Sequence, residues 1–461
     1  MHLLVDGDDG NGRRPRSSHR RRCRRRRQRQ EIVVTTPAPP RPVVFPLPFH
    51  GHINPMLQLA GALHARGLAV TVLHTRFNAP DPARRRPEFQ FVAVPDGVPA
   101  GVAASGNVID IIDAMNAAME AEEAAALRGA LASVLADEEQ PPAACIVFDA
   151  NLVAVPRAAA AVGIKTLVLR TGSAACLGCF LAYPMLHEKG YLPPQESQLY
   201  TPVRELPPLR VKDLFFSKIS SHEKTTELER LRGELDLPLL LTAGPLHKLS
   251  SRSTGSSLLD QDYSCIKWLD TQPSGSVLYV SFGSLAAMDS NEFLEVAWGL
   301  ANSGHPFLWV IRPKLVRDCE NVGLPDGFQD VVEGKGMVIQ WAPQQEVLAH
   351  RAVGGFWTHN GWNSTLESIS EGIPMICRPD TVDQMMNARY VQEIWGVGLE
   401  LDGELERGKI KKAIRMLMDE KEGAHIRERA KVLRRKVADS LESSGSSRIA
   451  IDKLVDYILS L

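Results

Sequence analysis

The 461-residue chain lacks any apolar run long enough to cross a bilayer. The uncharged, largely apolar stretch Thr171 to Leu186 holds 16 residues and includes Tyr183 and Pro184, against the roughly 20 that a spanning helix needs. No secretory signal is visible either, because the apolar start Met1 to Val5 is short and Asp6 ends it. Seven Cys are scattered without a spacing framework, and Cys176-Leu177-Gly178-Cys179 lies in an apolar run with no βαβ context of its own. These features predict free thiols, a reducing compartment and a cytoplasmic protein. Also lacking is a Gly-x-Gly-x-x-Gly after the first strand of either half, which disfavours a dinucleotide-binding oxidoreductase.

Net charge is nearly absent too, at −1, but it is unevenly spread. Residues 1–30 carry 11 Arg against 3 Asp, a local +8 that leaves −9 on the other 431. The run Arg20 to Arg27, broken only by Cys23, has the composition of a nucleic-acid or import signal. Nothing beyond residue 40 extends it into a basic surface, so residues 1–40 read as a disordered, solvated extension and no nucleic-acid partner is expected. Asp6-Gly7-Asp8 mimics a metal-binding Asp-x-Asp but follows no strand. What is present is 44% hydrophobic and 23% charged residues, the balance of a globular enzyme. The length suits two domains of roughly 200 residues each.

Past Pro40 a βαβ grammar begins. Val43 to Leu47 reads as a buried strand, Pro48-Phe49-His50-Gly51-His52 as a loop, and Asn54-Pro55 as the N-cap and first position of a helix. Gly67 stops that helix and Leu68 to Leu73 forms the next strand. Cys145 to Phe148, ending at Asp149, and Thr166 to Leu169 continue the series. A second series follows a Ser-rich stretch: Val277 to Phe282, Phe307 to Ile311, Met337 to Trp341, Gly355 to Thr358 and Pro374 to Cys377. Between its first two strands, Phe293, Val296, Ala297 and Leu300 share one helix face. The reading is two doubly wound α/β domains: 41–249, a linker at 250–262, 263–445, and a final helix at 446–461. Ligands in such sheets lie at the carboxyl ends of the strands, so a cleft between the halves is expected.

Trp341 to Gln384 is the most informative span. His359-Asn360-Gly361 turns from a strand into a helix starting at Trp362-Asn363-Ser364, and amides at a helix start make an anion seat. Glu367, one turn beyond Asn363, suits the paired hydroxyls of a ribose. Trp341 offers a flat face for a base, and Asp383-Gln384 suit the vicinal hydroxyls of a sugar. Together these partners describe a nucleotide sugar.

Trp341-Ala342-Pro343-Gln344, His359 to Ser364, Glu367, Gly372, Pro374 and Asp383-Gln384 resemble the signature box of plant secondary-product UDP-glycosyltransferases. The likeness extends to Gly51-His52-Ile53-Asn54-Pro55, Asp149 and Ser281-Phe282-Gly283-Ser284, and the amino-terminal region resembles the clade that includes benzoxazinone and cytokinin glucosyltransferases. The resemblance implies a GT-B fold, two Rossmann-like parallel-sheet domains facing a cleft, with no catalytic metal, no cofactor beyond UDP-glucose as donor substrate, and a monomer. It puts Trp341 and Ala342 at the uracil end and Gln344 near the ribose that Glu367 binds. His359, Asn363, Ser364 and Ser284 would hold the diphosphate, and Trp362, Asp383 and Gln384 the sugar. Gln at 384 favours glucose. Position 360 is Asn where many members have Cys.

Inverting transfer needs a base for the acceptor's proton, and imidazole is suited by a pKa of about 6.5. His52 sits at a helix start, where the dipole favours the neutral form. Asp149 could hold its tautomer and stabilise its cation. His50 competes for the role, and the family pattern assigns it to the His directly after Gly. Acceptor contacts would come from Phe49, the Ser173–Tyr183 region and the loops after the amino-terminal strands. The sequence departs from the family where Lys212 to Phe216 runs through Thr225-Thr226-Glu227 into Leu228, leaving no room near 217–230 for one strand and its helix; Leu237 to Leu241 is the next strand available. An unpaired sheet edge is expected there. The alternative function is then a catalytically impaired UDP-sugar-binding protein.

Overall fold

The computed structural model describes residues 2–5, 39–121, 125–215, 240–250, 259–317, 319, 323–419 and 421–461. The arginine run, Asp6-Gly7-Asp8, the 217–230 stretch and most of the 250–262 linker lie outside the described residues.

Short runs of Val, Ile, Leu and Phe form the strands because both faces of each sheet are covered by helices. The first sheet contains β1 (His2–Val5), β2 (Arg41–Phe45), β3 (Val70–Thr75), β4 (Phe89–Val94), β5 (Ala143–Asp149), β6 (Lys165–Arg170) and β7 (Leu241–Thr242), in the order β4-β3-β2-β5-β6-β1-β7. The second contains β8 (Val277–Ser281), β9 (Phe307–Val310), β10 (Gly336–Ile339), β11 (Val353–Thr358), β12 (Met375–Cys377) and β13 (Gly398–Glu400), in the order β10-β9-β8-β11-β12-β13, all parallel. The strand order reverses between β2 and β5 in one sheet and between β8 and β11 in the other. Crevices open at such reversals.

Two sequence readings need correction here. Residues 2–5 read as part of the extension, yet they form β1, antiparallel to β6 with Leu4 opposite Val168 and to β7 with Leu3 opposite Leu241. β1 fills the row beside β6 where an unpaired edge was expected, and backbone N–H and C=O groups that would stay unmatched are paired. The second correction is the first helix. It spans His50–His64 with Phe49 as N-cap, so His50-Gly51-His52 is its first turn and not a loop, and Pro55 lies inside it. The amides of His52 and Ile53 both donate to the Phe49 carbonyl at 2.8 Å, closing that turn a full turn ahead of Asn54. Pro55 is tolerated so early because only one carbonyl loses its partner.

Each sheet carries a core on both faces. The second domain's first helix, Ser290–Ser303, shows why the boundaries are sharp. Asp289 and Glu292 exchange capping bonds at 2.8 and 3.1 Å, while Gly304 ends the helix at φ 82. Phe293, Val296, Ala297 and Leu300 are all buried. The last helix, Ser446–Ser460, packs Ile451, Leu454 and Ile458 among Met56, Leu59 and Leu63 of the first domain. It thereby ties the chain's end to its beginning.

Candidate active site

Both strand-order reversals face the same cleft. On the amino-terminal side, β2 leads into the helix carrying His52 and β5 ends at Asp149. His52 Nδ1 lies 2.7 Å from Asp149 Oδ2. Asp149 is 1% exposed, and its other oxygen accepts from the Asn151 backbone N–H at 3.0 Å and the Asn151 carboxamide at 2.9 Å. The Thr171 hydroxyl lies 3.2 Å from the same imidazole nitrogen. Burial alone would lower the His52 pKa, but the charge of Asp149 and its hydrogen bond outweigh that and raise it. The dipole-favoured neutral form expected from sequence is therefore opposed by the carboxylate. Burial would raise the Asp149 pKa, and the His52 charge and Asn151 bonds bring it below the ordinary value. With Nδ1 turned to Asp149, Nε2 is the nitrogen left for chemistry.

His50 faces elsewhere. Its ring lies 5.4 Å from Trp341 across the cleft, and burial pushes its pKa down to about 4. It is a neutral wall between the halves.

On the carboxyl-terminal side, β8 leads into Gly283-Ser284 and β11 into His359. The His359 ring is gripped between two glycine backbones: a Cβ on Gly283 would stand 2.5 Å from it and one on Gly361 2.6 Å. Gly283 has φ 70, and Asn360 takes φ 62, a left-handed conformation that Asn tolerates. Burial and the nearby Arg312 charge push the His359 pKa down to about 4, and its Nδ1 is buried without a hydrogen-bond partner among the described residues. A neutral donor thus sits beside the start of the helix Trp362–Glu371, whose free amides favour an anion.

Along that helix, Glu367 is buried with Ser364. Burial raises the Glu367 pKa, while hydrogen bonds from Gln344 and Gln345 pull it back. Gln344 Nε2 donates to Glu367 Oε2 at 2.7 Å and to Ser364 Oγ at 2.9 Å, and Gln345 Nε2 to Glu367 Oε1 at 2.9 Å. Gln344, Ser364 and Glu367 are therefore brought together as one cluster. Ala342 is buried in the core, so its side chain faces away from solvent. Trp341 lies two residues past β10, not at the strand's end. Asn363 reaches across the cleft, donating to the Gly51 carbonyl at 2.9 Å.

Asp383 caps the helix Gln384–Arg389, and burial raises its pKa against a bond from Asn387 and the charge of His52. Asn387 Nδ2 holds Asp383 Oδ2 at 3.0 Å and the Asn360 carbonyl at 3.0 Å. Gln384 Oε1 accepts from the backbone of Asp380 at 2.9 Å and Thr381 at 3.3 Å, leaving the amide end for other partners. Trp362 lies 6.3 Å from Trp395 and lines a cavity of about 290 Å³ with Ser173, Thr242 and Asn387.

The chain matches the family model "UDP-glucoronosyl and UDP-glucosyl transferase" over residues 255–427. It is 44% identical to the DIMBOA UDP-glucosyltransferase BX9 of Zea mays, over 91% of this chain and 97% of the relative. The chain belongs to the plant family 1 UDP-glycosyltransferases. UDP-glycosyltransferase 76B1 of Arabidopsis thaliana is 41% identical over 91% of this chain and 98% of its own. The fold of this glycosyltransferase is GT-B. The UDP complex of Os79 from O. sativa superposes with a TM-score of 0.73 at 28% identity, covering 91% of this chain and 100% of that one. The UDP complex of a UDP-glucose: anthocyanidin 3-O-glucosyltransferase gives 0.78 at 26%, covering 91% and 99%.

Four residues that shape the glycosyltransferase site are missed by the sequence reading. Asn151 and Thr171 hold the Asp149–His52 pair, and Gln345 shares Glu367 with Gln344. Arg312, 7% exposed, donates to the Gly283 carbonyl at 2.8 Å and to that of Ala286, fixing the loop after β8. An Asn two residues past a strand-end Asp is an Asx-turn signal; Arg312 gave no local signal, since its partners lie 29 and 26 residues away. No described helix is long and apolar enough to cross a membrane.

Proposed function

We propose an inverting UDP-glucose-dependent glucosyltransferase that acts on a hydroxyl, or an amine, of a small plant-type secondary metabolite or hormone. The observation that carries this reading is the His52–Asp149 pair at 2.7 Å, opening onto a cleft whose far wall is the His359–Trp362 turn. His52 Nε2 takes the acceptor proton as the acceptor oxygen bonds to the anomeric carbon. The bond from that carbon to the diphosphate oxygen breaks on the opposite face, so configuration inverts and UDP departs. Asp149 keeps Nδ1–H pointed at itself and stabilises the imidazolium that forms.

Charge developing on the diphosphate is met by the amides opening the helix Trp362–Glu371, by neutral His359, and by Ser284, Asn363 and Ser364. Glu367 takes the ribose hydroxyls once Gln344 and Gln345 yield them, and Trp341 stacks on uracil with Ala342 supplying backbone beside it. Trp362, Asp383 and Gln384 hold the glucose. UDP-glucose enters as substrate, with no resident cofactor. Two of the relatives are named as DIMBOA UDP-glucosyltransferases, which favours a small, planar acceptor, bounded by Phe49 and the Ser173–Tyr183 region. The intact pair and the filled row beside β6 favour this reading over an impaired sugar-nucleotide binder.

The test is mass spectrometry of products from UDP-glucose and a panel of phenols and plant extract. Hexosylated products that vanish with His52→Ala support the reading. UDP binding in calorimetry with no product from any acceptor overturns it.

A further inference from the structure

Arg170 is a charged side chain near the chemistry that the mechanism does not use. It is the last residue of β6, two positions before Gly172, where a Cβ would stand 3.9 Å from Asp383 Oδ2. Its guanidinium lies over the Phe180 ring at 4.5 Å. Phe180 in turn sits 5.3 Å from Tyr183 and 6.4 Å from Phe215, so the cation rests on an aromatic wall. The charge is felt by His52 and Asp383, and a bond reaches the Cys176 thiol. Its Nε is buried and has no hydrogen-bond partner among the described residues. Among the described residues no carboxylate lies within ion-pair distance of it.

A guanidinium held this way is an anion receptor in waiting. Its planar fork binds two oxygens of one group at once, and the residue as a whole is only half-buried, so the charge is not sealed into the core. Asp383 is the obvious competitor, but it is held by Asn387 at 3.0 Å and engages the sugar in the proposed reaction. The aromatic wall favours a flat ligand, and His52 nearby requires a hydroxyl on that same ligand.

We propose that Arg170 selects the acceptor: an aromatic compound bearing, beside the hydroxyl that receives glucose, an anionic oxygen pair such as a carboxylate. This inference rests on the glucosyltransferase reading and deepens it. The ring lies along Phe180 and Tyr183, the anion meets the Arg170 fork, and the hydroxyl reaches His52.

The experiment compares hydroxybenzoates, in all three ring isomers, with their methyl esters. The readout is the ratio of kcat/KM for acid over ester within each protein, so a general loss of activity in a variant cancels. The expected wild-type ratio is at least tenfold for one isomer or more. Arg170→Gln brings it to about one or below, and Arg170→Lys keeps part of it, since a point charge remains without the fork. Esters used as well as acids by the wild type, or a ratio that Arg170→Gln leaves in place, overturns the proposal and leaves glucosyl transfer standing. No transfer to acids or esters, with UDP-glucose still bound in calorimetry, overturns both.

Discussion

Asn363 donates to the carbonyl of Gly51 at 2.9 Å, joining the carboxyl-terminal domain to the amino-terminal one directly beside His52. The bond exists because of Pro55. In a regular helix the Gly51 carbonyl would accept from residue 55, and proline has no N–H to give. A sequence feature that reads as a helix start is, in the folded chain, what leaves an acceptor free for the other domain.

A double-mutant cycle tests that account. Asn363→Ala should weaken UDP-glucose binding about fivefold in calorimetry, the weight of a hydrogen bond worth ~1 kcal/mol. Pro55→Ala restores the intrahelical donor, so in that background Asn363→Ala should cost visibly less. Equal penalties in both backgrounds would show that Asn363 acts on the diphosphate alone.

The His52–Asp149 pair predicts a pH profile with a definite sign. Protonated imidazole accepts no proton, so kcat/KM must rise with pH through the His52 pKa. Asp149 raises that pKa, placing the acid limb above the ordinary 6.5. In Asp149→Asn the carboxylate's pull is gone and burial, the largest influence, is opposed only by the weaker charge of Asp383, so the limb should move below 6.5 while kcat falls by roughly 10²- to 10⁴-fold. A limb that stays put on substitution would assign the base to another group. His52→Ala should abolish transfer and spare UDP affinity.

His359 leads to a steric prediction. Its ring fits only because positions 283 and 361 carry no side chain; a methyl at either would fall 2.5 or 2.6 Å away. Gly361→Ala should therefore push the imidazole off its place and weaken UDP binding at least tenfold. The melting temperature should drop by only a few degrees, because the ring sits at the surface of the core, not within it. Since His359 has a pKa near 4, UDP affinity should show no step between pH 6 and 8 attributable to it. Unchanged affinity in Gly361→Ala would remove His359 from the diphosphate site.

Much of the fold was legible beforehand because buried parallel strands announce themselves as apolar runs, and the residues proposed for the donor site come from 44 consecutive positions. Less legible was anything set by distant partners. The first helix begins at His50 because the Phe49 carbonyl takes two amides, whereas Asn54-Pro55 offered a more familiar start. Gln344 and Ser364 read as separate ligand contacts, yet they meet each other over Glu367. The role of β1 had no local cue at all: His-Leu-Leu-Val ahead of an arginine-rich stretch has the look of an unattached terminus, and only the open row beside β6 gives it a place.

That placement can be tested at one residue. Leu4 pairs with Val168 inside the sheet, and a proline there removes a ladder donor and disturbs the row between β6 and β7. Leaving a ladder carbonyl unmatched costs about 2 kcal/mol, which would lower the amino-terminal domain's melting temperature by roughly 4–8 °C. UDP affinity should hold, because the proposed donor residues stand on the other sheet. Scanning calorimetry of Leu4→Pro beside Leu4→Val checks both points, since valine keeps the donor and suits a strand. If the proline variant melts with the wild type, β1 contributes nothing to the sheet, and the edge of β6 must be protected by another part of the chain.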